Sequence, residues 1–216
     1  MSLCFSNADS QIISGEVNEG AMDLLKKKIR SEGRVVGTEI LKVDSFLNHQ
    51  VDPFLMQAIG AEFASIFAYQ GITKVLTIES SGIAPALFTG LFLNVPVIFA
   101  KKTASRNLDT ETYHAAVHSF TRGSEYIIRV SKRYLTSDDT VLLIDDFLAR
   151  GRALLGLLEI TGQAGARVAG AGVVIEKGFQ EGGSLIRNMG IRVESLAIIN
   201  EMSEEGSLIS FADETK

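Results

Sequence analysis

VLLIDDFLARGRA, residues 141–153, decides how this chain is read. An apolar run leads into two adjacent acids, Asp145 and Asp146, and a short loop containing Gly151 then opens onto a helical pattern. A strand that is almost continuously apolar is one buried on both faces of a sheet. In open α/β sheets ligands gather outside the carboxyl ends of the strands, and the two acids fall at that end. Backbone N–H groups of a small-residue loop at a helix N-terminus form an anion site. The spacing therefore suits a ribose whose 5-phosphate fills the loop and whose hydroxyls meet the acids. Paired acids at a strand end are also common as solvated loop residues or helix caps, so the stretch alone leaves both readings open.

Working outward, strand and helix alternate on either side. KVLTIE (74–79) predicts a strand, SSG a turn, IAPALFTGLFL (83–93) a helix, and PVIFAKK (96–102) the next strand. After the central stretch come a helix over 152–164, a strand over 166–177, a short helix around Ile186 and a last strand over 192–199. That alternation implies a mostly parallel sheet covered on both faces. Gly170 and Gly172 fall inside a strand, which points to close packing in the core.

Upstream, residues 21–31 form an amphipathic helical pattern, and residues 34–50 read as a short strand pair or an irregular flap. Asp52 and Pro53 predict an N-cap and first helical residue, with the helix running to Gly71. Phe54, Leu55, Ile59, Phe63, Ile66 and Phe67 form its expected apolar face. Residues 103–112 are a polar loop, and 113–120 with 125–131 predict an antiparallel arm. Residues 1–21 carry neither motif nor apolar period and are expected to be a flexible extension. One domain over 22–216, with a small hood, is the simplest organisation.

Composition limits the function classes. A formal net charge of −5 is unlike an electrostatically driven nucleic-acid binder, so no nucleic-acid partner is expected. The lone cysteine, Cys4, excludes an intramolecular disulfide framework. No apolar run suits a bilayer span, no membrane partner is expected, and a cytoplasmic location follows as an expectation. Neither a Walker-type G-x-x-x-x-G-K-[ST] run nor a G-x-G-x-x-G fingerprint after a strand occurs.

Apolar strand, paired acids, small-residue loop and helix together resemble the signature of the type I phosphoribosyltransferases. LKVDSFLNHQ (41–50), TIESSGIAPA (77–86), FAKK (99–102), HSFT (118–121), LLIDDFLARG (142–151) and VVIEKGFQ (173–180) resemble the bacterial xanthine branch of that family, in its order. The resemblance implies an α/β fold: a mostly parallel twisted sheet flanked by helices. It adds a base-binding hood, formed by about 34–51 with the C-terminal segment, and a flexible arm.

It also implies residue roles. Ala149, Arg150, Gly151, Arg152 and Ala153 match the loop that cradles the 5-phosphate of phosphoribosyl diphosphate. Asp145 and Asp146 match the catalytic acids beside the ribose. Glu79, Ser80, Ser81 and Gly82 match the pyrophosphate loop, which in relatives contains a non-proline cis peptide. Lys101 and Lys102, with Arg106, either close over pyrophosphate or are simply solvated. Leu41, Asn48, Lys177 and Phe179 match base contacts, Lys177 through the purine 6-oxygen and Phe179 by stacking. Without the family, the alternative readings are core positions for Leu41 and Phe179, a turn for Asn48, a structural hydrogen bond for His49 and an exposed salt bridge for Lys177, which follows Glu176.

The implied reaction transfers a phosphoribosyl group to xanthine, with guanine or hypoxanthine as the alternative base. Mg²⁺ is the implied cofactor, carried by the diphosphate rather than by a protein metal cluster. A homodimer is expected, with the 103–120 loop and arm as a lid. A purine-sensing repressor is the rival of another class, but residues 1–21 are too few to add a basic helix-turn-helix domain. Arg150 and Arg152 depart from the family pattern, which usually has a small polar and an uncharged residue there.

Overall fold

The computed structural model describes residues 20–102, 111–119, 124–203 and 208–214. The central sheet is built from β3 (Lys74–Ile78), β4 (Val97–Ala100), β7 (Thr140–Leu148), β8 (Arg167–Lys177), β9 (Val193–Ser203) and β10 (Leu208–Phe211). Its strand order is β10-β9-β8-β7-β3-β4. All pairings are parallel except β10 against β9. β7 therefore lies inside the sheet, with residues 141–145 buried, as its apolar run requires.

Helices cover both faces. On one, α1 (Ala21–Glu32), α2 (Pro53–Ile66) and α3 (Ile83–Leu93) enclose a core of Leu25, Ile59, Phe63, Phe67, Leu142 and Ile144. On the other, α4 (Arg152–Ala164) and α5 (Gly182–Asn188) pack with the arm over Leu76, Leu143, Val173, Leu157 and Ile186. The arm is the hairpin of β5 (Thr112–Ser119) and β6 (Ser124–Ser131), antiparallel as the sequence predicts. It seats on α4 through Gly156, where a Cβ would stand 2.6 Å from Val117 Cγ2. Gly172 does the work expected of it: a Cβ there would lie 2.7 Å from Ile144 Cδ1 and 2.8 Å from the Phe63 ring.

The hood consists of β1 (Arg34–Val36) and β2 (Ile40–Lys42), an antiparallel pair, followed by a π-helical turn over Asp44–Asn48. The C-terminal segment closes against α1: Lys26 pairs with Asp213 and Arg30 with Glu214, both cations lying over the Phe211 ring.

Three expectations are corrected. α2 ends at Ile66, not at Gly71, because Phe67 turns into the core and Tyr69 then takes a left-handed φ of 64°. Gly71, at φ 67°, serves the following turn. Phe54 does not join the apolar face and is 79% exposed. The Asp52 cap forms as predicted, accepting from the Phe54 and Leu55 amides at 3.0 and 3.1 Å. It sets a helical phase in which Leu55, Met56, Ile59 and Phe63 point inward. Finally, β9 runs on to Ser203, and β10, a four-residue edge strand, carries too short a pattern to announce itself.

Candidate active site

The carboxyl end of β7 opens into a cavity of about 600 Å³. Its walls come from four parts of the chain. The hood supplies Glu39, Ile40, Leu41 and Asn48; the arm supplies Val117, His118 and Tyr126. β7 and the loop after it supply Asp145, Phe147 and residues 148–154. Lys177 and Gln180 complete it from the end of β8.

Gly151 sits at φ 74°, a conformation in which any other residue would be strained, and it begins α4 without a side-chain cap. The first-turn amides of α4 are thus left for an anion. Beside them, Asp145 is 6% exposed and accepts from the Asp146 amide at 3.0 Å. Burial pushes the Asp145 carboxyl well above the usual carboxylate range, and the Asp146 charge adds to the shift while Lys102 opposes it. An acid held in this way gains from any positive charge that forms next to it.

The 79–82 loop approaches Asp145 from β3. A Cβ on Gly82 would stand 2.2 Å from Thr77 Oγ1 and 3.3 Å from Asp145 Oδ1, so glycine lets the turn pack against Thr77 beside the acid. The Glu79–Ser80 peptide is cis. Glu79 accepts from the Lys102 amide, and the Lys101 backbone exchanges two 2.9 Å hydrogen bonds with Arg129 of the arm. Among the described residues, the buried Thr77 Oγ1 and Gln180 Oε1 find no hydrogen-bond partner, as is often so for atoms that meet a ligand or water.

On the hood side, Leu41 is buried and Asn48 exposed, both on the cavity wall. Lys177 donates to the Glu39 carbonyl, tying β8 to the hood. Burial lowers its pKa, with the Glu39 charge acting in the opposite direction. Its neighbour Glu176 points to the other side of the strand and binds Arg187 at 2.7 and 2.8 Å, so the alternative of an exposed salt bridge between the two is not realised.

The structure gathers Asp145, residues 149–153, Leu41, Asn48 and Lys177 around one cavity. Phe179 is 41% exposed and stands outside its lining, while Phe147 occupies the wall beside Lys177. Asp146, Glu79, Ser80, Ser81, Gly82, Lys101 and Lys102 also stand outside the lining, and Arg106 lies outside the described residues. Sequence reasoning missed Phe147, His118, Tyr126 and Gln180. Strand alternation from Asp145 places Phe147 on the same side, and that was the available signal.

Among the described residues no helix is long and apolar enough to cross a membrane, and no group of three or more His, Cys, Asp or Glu is placed to hold a metal. A family model for the phosphoribosyl transferase domain matches residues 50–192. Xanthine phosphoribosyltransferase from Ruminiclostridium cellulolyticum is 56% identical over 89% of this chain and 100% of its own length. The same-named proteins of Oceanobacillus iheyensis and Pseudomonas aeruginosa are 57% and 53% identical, over 90% and 89% of this chain and 100% of each relative. Among solved structures, APRTase from Giardia lamblia complexed with 9-deazaadenine superimposes with a TM-score of 0.66 at 21% identity, covering 81% of this chain and 96% of that one. Adenine phosphoribosyltransferase from Rhodothermus marinus gives 0.64 at 21% identity over 82% and 97%; both agree in fold. On this sequence and structural agreement, the chain belongs to the phosphoribosyltransferase family.

Proposed function

We propose that this protein transfers the 5-phosphoribosyl group of phosphoribosyl diphosphate to xanthine, giving xanthosine 5'-monophosphate and diphosphate. One observation carries the reading: a single cavity joins an uncapped helix N-terminus, the Asp145 carboxyl and a hood with Lys177. Those are an anion site, a cation-stabilising group and a polar base site in sequence. Xanthine, rather than guanine or hypoxanthine, rests on relatives of that name at 53–57% identity.

In this reading the Ala149–Ala153 backbone holds the 5-phosphate, and Arg150 and Arg152 add side-chain charge to it. Asp145 and Asp146 hold the ribose hydroxyls and stabilise the oxocarbenium-like charge as the anomeric bond breaks. The Glu79–Gly82 loop with Lys101 and Lys102 receives the diphosphate. Leu41 and Asn48 meet the base from the hood, Lys177 meets its 6-oxygen, Phe147 forms the wall and Phe179 lies at the rim. The reaction is then mostly positioning, charge stabilisation and exclusion of water by the arm.

The residues present fit Mg²⁺ borne by the substrate. Asp145 is a buried acid beside a second carboxylate, with the orphaned Thr77 hydroxyl close to the same turn, and such a setting accepts a cation that keeps most of its own ligands. When bound, Mg²⁺ neutralises charge on the departing diphosphate. The multiply charged donor does not cross lipid, so the enzyme must share a compartment with it, and this supports the cytoplasmic reading. A single domain from α1 to the C-terminus serves it. A homodimer is supported by the outer face of α3, where Leu87 and Leu91, one turn apart, are 57% and 67% exposed beside Phe92.

Initial rates with xanthine, guanine and hypoxanthine, at saturating phosphoribosyl diphosphate and Mg²⁺, test the assignment. Xanthine is expected to give the highest kcat/KM. A higher value for guanine or hypoxanthine would move the assignment to that base, and no transfer to any of them would end it.

A further inference from the structure

α5 is a helix of only seven residues, Gly182–Asn188. A helix that short has no stability of its own, so its neighbours must hold it. It begins against the loop that follows β7. The Gly182 amide donates to the Ala149 carbonyl at 3.0 Å. A Cβ on Gly182 would lie 2.4 Å from Ala149 O, 2.5 Å from Gly151 N and 2.8 Å from Arg150 C. All three are backbone atoms of consecutive loop residues, so no side chain can swing away to make room. Seen from the loop, a Cβ on Gly151 would stand 3.3 Å from Gly182 Cα and 3.5 Å from the buried Ile186.

The other end of the helix is fixed to β8. Arg187 forms both arms of a bidentate pair with Glu176, at 2.7 and 2.8 Å, and Ser195 of β9 donates to the same carboxylate. Glu176 is 4% exposed. Burial pushes its carboxyl up, but the hydrogen bonds from Arg187 and Ser195 outweigh that and hold it below its ordinary value. Gly183 leaves the space for the pair: a Cβ there would lie 1.9 Å from Glu176 Oε1 and 2.5 Å from Arg187 Nη1. The two glycines thus answer separate needs, one for the loop and one for the ion pair. Glu176 immediately precedes Lys177, which lines the cavity from the opposite side of the strand.

We propose that α5 is a brace that fixes the 149–151 loop and the Glu176–Lys177 strand end in one register, with Gly182 and Arg187 as its positioning residues. The inference rests on the reading of that loop as the 5-phosphate cradle. A cradle made of backbone amides works only if those amides keep their places, since displacements of an ångström at such a site are costly. Arg187 is not among the residues that line the cavity; it acts through Glu176 and through the helix.

Two measurements on the full chain test this: the Kd of ribose 5-phosphate by calorimetry, and the KM values for phosphoribosyl diphosphate and xanthine. Gly182→Ala should weaken ribose 5-phosphate and raise the phosphoribosyl diphosphate KM by roughly tenfold or more, with the xanthine KM changed less than about threefold. Arg187→Met should raise both KM values by about fivefold or more, and Arg187→Lys should recover part of each because it restores the charge without the fork. If Arg187→Met does not fold, Ser195→Ala removes one Glu176 hydrogen bond without a clash and should still raise the phosphoribosyl diphosphate KM about threefold. Folded variants with every constant within about twofold of the parent overturn the brace. A parent that does not bind ribose 5-phosphate overturns the loop reading itself, an outcome distinct from variants that bind as tightly as a binding parent.

Discussion

Lys177 Nζ lies 5.8 Å from the centre of the Phe147 ring, at the point where two neighbouring strands end. The contact joins the strand that delivers the acids to the strand that delivers the base-end lysine. With the Lys177 hydrogen bond to the Glu39 carbonyl, it also joins both to the hood. A planar base entering the cavity would have the Phe147 ring, the Lys177 ammonium and the hood as its surroundings. The lysine already sits over an aromatic face, an arrangement favourable to a cation.

Phe147 is therefore expected to matter more to the base than Phe179. Phe147→Ala should raise the KM for xanthine by about tenfold, in keeping with the loss of an aromatic wall, whereas Phe179→Ala should change it by less than about threefold. Steady-state kinetics on the two variants decide the matter. The reverse order would return the stacking role to Phe179.

The acids should trade activity against stability. Replacing Asp145 and Asp146 together by Asn should leave the fold intact and lower kcat by roughly 10²–10³-fold for each group lost. Asp145→Asn alone should raise the melting temperature, because it removes a buried carboxyl that its own burial and the Asp146 charge disfavour in the ionised form. A gain of about 0.5–2 kcal/mol is ordinary for relieving such a site, at roughly 2–4 °C per kcal/mol. A double variant that keeps more than about a tenth of the parent kcat would remove these acids from the ribose site.

The fold, and the meeting of Asp145 with the 149–153 loop at one cavity, were legible because their determinants are local. The 141–153 stretch contains strand, acids, loop and helix within one run, and β7 and α4 follow it closely. The α2 boundary was not legible, since Phe67 leaves the helix to fill the core and only tertiary packing rewards that turn. The role of Glu176 was not legible for the same reason: its partner Arg187 is eleven residues away on another element. The arm's contribution of His118 and Tyr126 depends on how β5 and β6 dock on α4 through Gly156, a long-range contact with no sequence period of its own.

Acid should unfold the protein largely through Glu176 and Asp139. For both, burial raises the carboxyl, but their hydrogen bonds and cations hold the net value below the ordinary 4.5 and 3.8. A lowered folded-state value gives stability that is present above the unfolded value and lost as pH falls through the folded one. Asp145 has the opposite sign: its raised value contributes stability below the ordinary carboxylate range, which is lost as pH rises. Melting temperature should thus fall between about pH 5 and pH 3, and Glu176→Gln should flatten that fall while lowering the plateau above it. An acid slope in Glu176→Gln as steep as the parent's would assign the effect elsewhere.

Base choice should depend on Asn48 and not on Lys177. Xanthine differs from guanine at C2, where an acceptor oxygen replaces a donor amino group. The Asn48 carboxamide, on the hood wall of the cavity, can offer an N–H to that oxygen, whereas a carboxylate can only accept. In the proposed reading Lys177 meets the 6-oxygen that both bases share, so it is expected to contribute affinity without discriminating. Asn48→Asp is therefore expected to lower kcat/KM for xanthine and to narrow or reverse the preference over guanine. An unpartnered polar group at such a contact costs about 1–3 kcal/mol, which corresponds to roughly a 5- to 150-fold change in the ratio. Lys177→Ala should weaken both bases to a similar degree. If Asn48→Asp moves both bases equally while Lys177→Ala changes their ratio, the two roles are the other way round.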